Sequence, residues 1–233
     1  MSALVLEGRG LRHSYGRTQV LEGVDVTVHA GEVVAVMGPS GSGKSTLLHL
    51  LAGLLRPDEG EVWLAGDRID TLAERRRSEM RLRRFGFVFQ FGDLVPELTV
   101  AENVELPLRL TGVRPSRARA RGLAMLDRLG VADQADKRLS EVSGGQAQRA
   151  AVARALVHTP PVVMADEPTG SLDTVTGELV LEALVGAASE QGTAVLLVTH
   201  ELRVASWATR DIQLRDGRVG ESVAQAALPG RHA

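Results

Sequence analysis

Gly38-Pro39-Ser40-Gly41-Ser42-Gly43-Lys44-Ser45-Thr46 follows the pattern Gly-x4-Gly-Lys-Ser/Thr, and its flanks give that pattern meaning. Ahead of it runs Glu32-Val33-Val34-Ala35-Val36-Met37, rich in β-branched residues; behind it comes Leu47-Leu48-His49-Leu50-Leu51-Ala52, a run of helix formers. Strand, loop and helix in that order is the setting in which such a loop cradles phosphates. Glycines at 38, 41 and 43 admit conformations and close approaches that a Cβ would block, so successive N–H groups can converge on one anion. The helix opening at Lys44 adds its positive end. Lys44 brings a formal charge to the outer phosphates, and the Ser45 hydroxyl is placed to ligate Mg²⁺. Ser40, Ser42 and Thr46 complete the set of candidate loop contacts. The alternative is a plain Gly/Ser-rich turn, and the complete pattern in its full context weighs against it.

At 233 residues the chain suits one large domain or a domain with an inserted lobe. Its net charge of −2 offers no global basic field, which disfavours wholesale nucleic-acid binding. The absence of cysteine excludes disulfides, thiolate catalysis and zinc-thiolate sites. No stretch approaches the roughly 18 apolar residues of a membrane span, and the start lacks a basic segment followed by a long apolar run. The expectation is a soluble chain; if it works at a membrane, another polypeptide crosses it.

Residues 3–7, 19–21, 24–29 and 32–37 read as short strands separated by turns at Gly16, Gly23 and Gly31. Strands ahead of the phosphate loop predict an antiparallel sheet layered on an α/β core. Tyr15, the single tyrosine, suits either stacking on an adenine or half-burial in that sheet. A charged helix follows with Arg75, Arg76, Arg77, Arg81, Arg83 and Arg84, read as a solvated face without a nucleic-acid role. Phe85, Phe87, Phe89 and Phe91 alternate, which on a strand puts them on one face, with Gln90 pointing the other way toward a metal or an attacking water. Phe85 and Phe87 suit a buried sheet face, whereas Phe91 and the residues after it suit an exposed docking groove.

From residue 92 to about 140 the pattern turns helical, interrupted by Pro96, Pro107 and Pro115. Thr99 with Glu102 forms a capping box, and Arg117 to Leu129 a basic amphipathic helix whose arginines 117, 119 and 121 read as solvated. Ser143-Gly144-Gly145 before an alanine-rich helix from Gln146 to His158 is a second arrangement able to hold an anion. Pro161-Val162-Val163-Met164-Ala165-Asp166-Glu167 reads as a buried parallel strand ending in two carboxylates, at the edge where α/β sheets place ligands. Asp166 would hold hydrated Mg²⁺, and Glu167, on the opposite side, would accept a proton from water attacking a γ-phosphate. The strand before His200 repeats that architecture, with His200 at its end as a γ-phosphate contact. A hairpin over 211–219 closes the ordered chain; residues 221–233 lack periodicity and read as a fraying tail.

Taken together, the phosphate loop, Gln90, Val142-Ser143-Gly144-Gly145-Gln146, Ala165-Asp166-Glu167-Pro168, Ser171-Leu172-Asp173 and His200 resemble the ATP-binding subunit of ABC transporters over almost the full chain. The resemblance implies a P-loop NTPase of the ABC ATPase type: a parallel core sheet, an N-terminal antiparallel β subdomain and an inserted α-helical subdomain. It implies one domain over 1–220, with the helical insertion at about 91–145, and ATP and Mg²⁺ as cofactors. Tyr15 becomes the adenine-stacking aromatic, Gln90 the Q-loop glutamine and Asp173 the D-loop aspartate. Glu167, His200, Lys44 and Gln90 become the catalytic set, and Ser45, Gln90 and Asp166 the metal set. The second anion site is explained as well. Two copies, or two paired cassettes, meet head to tail, and Ser143, Gly144, Gly145 and Gln146 of one close over ATP held by the other.

Ala165 to Asp173 and Leu98 to Pro107 look like the branch that serves macrolide efflux, lipoprotein release, antimicrobial-peptide resistance and the cell-division complex. Three features depart from it: Val142 in place of leucine, Ser171 in place of asparagine, and Gly92-Asp93-Leu94 in place of Asn-Leu-Leu. The implied protein is cytoplasmic, held at the inner face of the membrane by an integral membrane permease docked near Phe91 to Leu98, and powers an exporter or extractor of apolar, peptide or lipidated substrates. Two rivals stand beside it. One is a mechanical regulator that moves no substrate and transmits ATP state to cell-wall enzymes; the other is a soluble ATPase of DNA repair or translation, which usually carries two cassettes or long coiled-coil insertions.

Overall fold

The computed structural model describes residues 2–91 and 93–220, so the tail read at 221–233 and the departure at Gly92 lie outside the described residues. The chain opens with β1 (Leu4–Tyr15) and β2 (Thr18–His29), then β3 (Val33–Met37) and α1 (Lys44–Leu51). Next come β4 (Glu59–Leu64), β5 (Asp67–Arg68), α2 (Glu74–Arg84) and β6 (Phe85–Phe89). Three helices follow, α3 (Val100–Leu110), α4 (Pro115–Arg128) and α5 (Gly144–Leu156), and then β7 (Val162–Asp166). The last elements are α6 (Thr174–Gln191), β8 (Ala194–Thr199), α7 (Leu202–Ala205), β9 (Arg210–Arg215) and β10 (Arg218–Val219).

Two sheets result. One is antiparallel, in the order β2-β1-β4-β5; the other has the order β10-β9-β3-β8-β7-β6 and is parallel apart from β10. Strand alternation assigns the side chains of the parallel sheet to two cores. Val33, Ala35, Met37, Val163, Ala165, Val195 and Leu197 face α3 to α6. Val34, Val36, Val162, Met164, Leu196 and Val198 face α1 and the antiparallel sheet. Burial on both faces explains why β3, β7 and β8 read as unbroken apolar runs. Among the described residues no helix is long and apolar enough to cross a membrane.

Several local expectations need correction. Gly23 is no turn. The strand continues through it, and the register passes from Leu11↔Val24 to Arg12↔Glu22, leaving Gly23 at φ 82° as the extra residue of a bulge. Nor does Pro107 break its helix: α3 runs through it. One interior proline costs about 3 kcal/mol. Burial of Val100, Ala101, Val104 and Leu108 and a complete Thr99–Glu102 capping box offset it. The alternating phenylalanines do not share one strand, because β6 stops at Phe89 and Phe91 stands 78% exposed. The rings of Phe85, Phe87 and Phe89 do stack in series, at 6.1 and 5.8 Å.

The arginine runs are not wholly solvated either. Arg77 is buried against Glu74, and Arg81 donates to the Gly53 carbonyl at 2.6 Å, which fastens α2 to the turn after α1. On α4, Arg119 reaches Glu105 and Asp136, and Arg121 donates to the Val157 carbonyl. The predicted closing hairpin is present, with Asp216 at φ 47° and Gly217 at φ 71° supplying the two positive torsions of a tight two-residue turn.

Asn103 is fully buried on α3. Its Oδ1 accepts from the Val95 N–H at 2.7 Å, and its Nδ2 donates to the carbonyls of Val95 and Thr99, each at 3.0 Å. It thereby pins the segment that leads from β6 into the helices. Asn103→Ala strands these groups and is expected to lower unfolding free energy by about 2 kcal/mol, measured by urea denaturation. A loss below about 0.5 kcal/mol would show that the segment holds itself.

Candidate nucleotide site

The loop between β3 and α1 is built by its glycines. Gly41 needs only its φ of 79°, since a Cβ there would meet nothing within 4 Å. Gly43, at φ 99°, is also crowded: a Cβ would lie 2.9 Å from the Val20 carbonyl oxygen. At Gly38 it would sit 2.1 Å from the Leu214 carbonyl oxygen. Within this ring Lys44 is buried and donates from Nζ to the carbonyls of Gly38 and Pro39, both at 2.9 Å. The Ser42 hydroxyl is buried with no hydrogen-bond partner. Ser40 and Ser45 are exposed, and Thr46, in the first turn of α1, is buried.

The ends of β6, β7 and β8 supply the rest of the group. Ser45 hydrogen-bonds Asp166, the last residue of β7. Burial pushes the Asp166 carboxyl above the usual carboxylate range, against the opposing pull of Ser45, and its Oδ1 is buried without a partner. Glu167 adopts φ 47°, which turns its side chain away from the path of the strand. Its Oε1 lies 2.6 Å from His200 Nδ1, and its Oε2 accepts from the Thr199 hydroxyl at 3.4 Å. Gln90 follows β6 directly. Its side chain lies against Gly170, where an added Cβ would be 3.0 Å from Nε2, and the Ser171 hydroxyl donates to its carbonyl at 2.8 Å.

A second group stands at the start of α5. Ser143 is the N-cap and forms a capping box with Gln146, whose side chain accepts from the Ser143 N–H at 2.8 Å. The helix therefore begins at Gly144, two residues earlier than predicted. Gly144 is exposed, while Gly145 is buried where a Cβ would meet Thr176 Cγ2 at 2.2 Å. That contact places the cap beside Asp173, the N-cap of α6. Hydrogen bonds from Thr176 hold the Asp173 carboxyl below its usual range. Tyr15 ends β1 with 53% of its surface exposed, and its ring meets His13 edge-on at 4.9 Å.

One residue escaped the sequence reading. Gln148, within the alanine-rich helix, is buried and donates to the carbonyls of Phe89 and Pro168. In the sequence it is one of four polar side chains on this helix, with Gln146, Arg149 and Arg154, and nothing there singles it out.

The family model for ABC transporters matches residues 21–170, from the β2 bulge through the phosphate loop, the serine-glycine cap and the acidic strand end. The chain belongs to the ABC transporter family. It is 44% identical over 223 residues to a lipoprotein-releasing system ATP-binding protein, LolD 2, of Caulobacter vibrioides, covering 94% of this chain and 98% of that relative. A LolD of Xanthomonas campestris pv. campestris is also 44% identical, covering 94% and 93%. Among solved structures, an ATP-binding cassette seen as a dimer in a post-hydrolysis state with ADP and Pi superposes with a TM-score of 0.85 at 36% identity. That match covers 96% of this chain and 100% of the other. A dimeric structure of a bacterial ABC transporter cassette gives 0.86 at 37% identity, with the same coverage.

The raised pKa of Asp166 has a sign that can be tested. Between the ordinary carboxylate value and the raised one, the folded chain holds more protons than the unfolded chain, so stability falls as pH rises through that window. Asp166→Asn removes the charged form. In buffer free of metal and nucleotide it is expected to melt above the wild type at neutral pH and to converge with it below about pH 4. Calorimetry that finds the variant less stable at neutral pH would contradict this.

Proposed function

We propose that this chain is the ATP-binding and ATP-hydrolysing subunit of an ABC transporter, in which two copies close around two ATP molecules and drive a membrane partner. The observation that carries the reading is the convergence of Lys44, Ser45, Asp166 and the Glu167–His200 pair at one edge of the parallel sheet. Residues 1–220 act as one ATPase domain, with about 91–145 as its helical arm. The chain works at the inner face of the membrane, held there by a permease docked near Phe91 to Leu98. Its similarity to lipoprotein-releasing proteins over nearly the whole chain supports a cargo that is apolar, peptide or lipidated, drawn out by that partner.

The residues divide the work by charge. Loop N–H groups at Gly41 and Gly43 and the α1 N-terminus face the phosphates, Lys44 neutralises the outer ones, and Tyr15 stacks on the adenine. The orphaned, buried Asp166 Oδ1 and the Ser45 hydroxyl fit a divalent cation. They supply few protein ligands, as suits Mg²⁺ completed by phosphate oxygens and water, with Gln90 at its edge. When bound, Mg²⁺ withdraws charge from the phosphate oxygens. Glu167 takes a proton from the attacking water as the new P–O bond forms and the bond to the β-phosphate oxygen breaks, releasing ADP. His200, bonded to Glu167 through Nδ1, orients that carboxylate and leaves Nε2 to face the γ-phosphate. Ser143, Gly144, Gly145 and Gln146 of the second copy close the other side of the nucleotide, with Asp173 beside them.

Closure follows if ATP binds the paired state better than the open one. Glu167→Gln is expected to bind ATP, to slow hydrolysis by about 10²- to 10⁴-fold and to run as an ATP-dependent dimer in light scattering. Lys44→Ala is expected to lose ATP affinity instead. Hydrolysis by Glu167→Gln at the wild-type rate would remove Glu167 from its role.

A further inference from the structure

We infer that Gln148 is a positioning residue for hydrolysis: it ties the serine-glycine cap at the start of its helix to the turn carrying Glu167 and to the strand end carrying Gln90. This rests on the reading of Glu167 as proton acceptor given above. Gln148 is 3% exposed, and its Nε2 donates to the Phe89 carbonyl at 2.8 Å and to the Pro168 carbonyl at 2.7 Å. Both acceptors are main-chain oxygens, so only the NH₂ end of the amide can face them, and both of its hydrogens are used.

The first carbonyl belongs to the peptide that joins β6 to Gln90, and the second lies one peptide beyond Glu167. The Pro168 carbonyl lies in the turn that Gly170 N–H closes on the Glu167 carbonyl at 3.0 Å. Glu167 sits at φ 47° in that turn, a left-handed conformation that a residue with a Cβ keeps only where its surroundings over-determine it. The Glu167 N–H bond to the Val198 carbonyl at 2.9 Å is one restraint, and Gln148 is another. By holding both carbonyls on one nitrogen, Gln148 sets the separation between the Gln90 and Glu167 backbones.

The other end of the link is the cap. Gln148 lies in the second turn of α5, whose first turn is Gly144, Gly145 and Gln146 behind the N-cap Ser143. A helix turn is stiff. Any tilt of α5 as the cap meets phosphate is therefore carried to the Phe89 and Pro168 carbonyls, and through them to Gln90 and Glu167. Proton transfer in one copy then depends on the position of that copy's own cap.

Two variants of the full chain test this. Gln148→Leu keeps most of the volume and removes the donors. Gln148→Glu keeps the shape and has a donor only when its carboxyl is protonated, the form favoured by burial beside two carbonyl oxygens. Affinity for a non-hydrolysable ATP analogue is expected to stay within about twofold of wild type in both, while kcat falls about tenfold or more. The ratio of Gln148→Glu kcat to wild-type kcat is expected to rise about threefold or more from about pH 8 to about pH 6, as the introduced carboxyl gains its proton. Simple destabilisation does not produce such a rise, and if Gln148→Leu does not fold, the pH profile of Gln148→Glu decides alone. The inference is overturned if either variant turns over within about twofold of wild type, if the loss is entirely in ATP affinity, or if the ratio is level with pH. Should that happen while Glu167→Gln remains inactive, the hydrolytic reading stands and only the link through Gln148 is lost.

Discussion

Everything in the fold is arranged around a peptide loop that has to turn its N–H groups inward, and such a loop tolerates almost no side chain. A Cβ at Gly38 would strike the Leu214 carbonyl, and one at Gly43 the Val20 carbonyl. The cradle is thus bounded by backbone from β2 on one side and from β9 on the other. Its shape is imposed by main-chain atoms, which no single side-chain substitution in the walls can move far. The antiparallel sheet, whose link to catalysis is otherwise indirect, is needed here because β2 supplies one of those walls.

Charge placement follows from the same geometry. The parallel sheet ends its strands at one edge, and burial there gives the two carboxylates different surroundings. Asp166 is half-buried, with one oxygen buried and unpartnered and its acidity reduced, while Glu167, one residue on, bends into the left-handed region and meets a histidine. Adjacent residues on a strand face opposite ways, so two carboxylates side by side in sequence need not compete for one position. The positive φ at Glu167 sharpens that separation.

Features whose partners are close in sequence are legible from the sequence alone. The Thr99–Glu102 box, the Asp216-Gly217 turn and the strand-loop-helix around Lys44 each rest on a few consecutive residues, and local chemistry decides them. Hidden features depend on distant partners. Gly23 reads as a turn because only β1 pairing against β2 makes it a bulge. Pro107 reads as a break because the apolar face that sustains α3 is supplied by neighbouring helices. Arg81 and Arg121 read as solvated because their acceptors, the Gly53 and Val157 carbonyls, lie elsewhere, and the hydrogen bonds of Gln148 exist only once Phe89 and Pro168 are beside it. Among the site residues, type and spacing pointed to the phosphate loop and the acidic strand end. The pairing of His200 with Glu167 and the packing of Gln90 on Gly170 required the fold.

The order of strands across the parallel sheet bears on how the molecule comes into being. β3, which leads into the phosphate loop, lies between β8 and β9, and both are made long after it. During synthesis the loop therefore exists for most of the chain's growth with neither neighbour in place and without the Leu214 carbonyl that walls it. Such non-local pairing is slow to nucleate. The wall that β9 gives the loop is therefore among the last parts to be put in place, after β8 has slotted in on the other side.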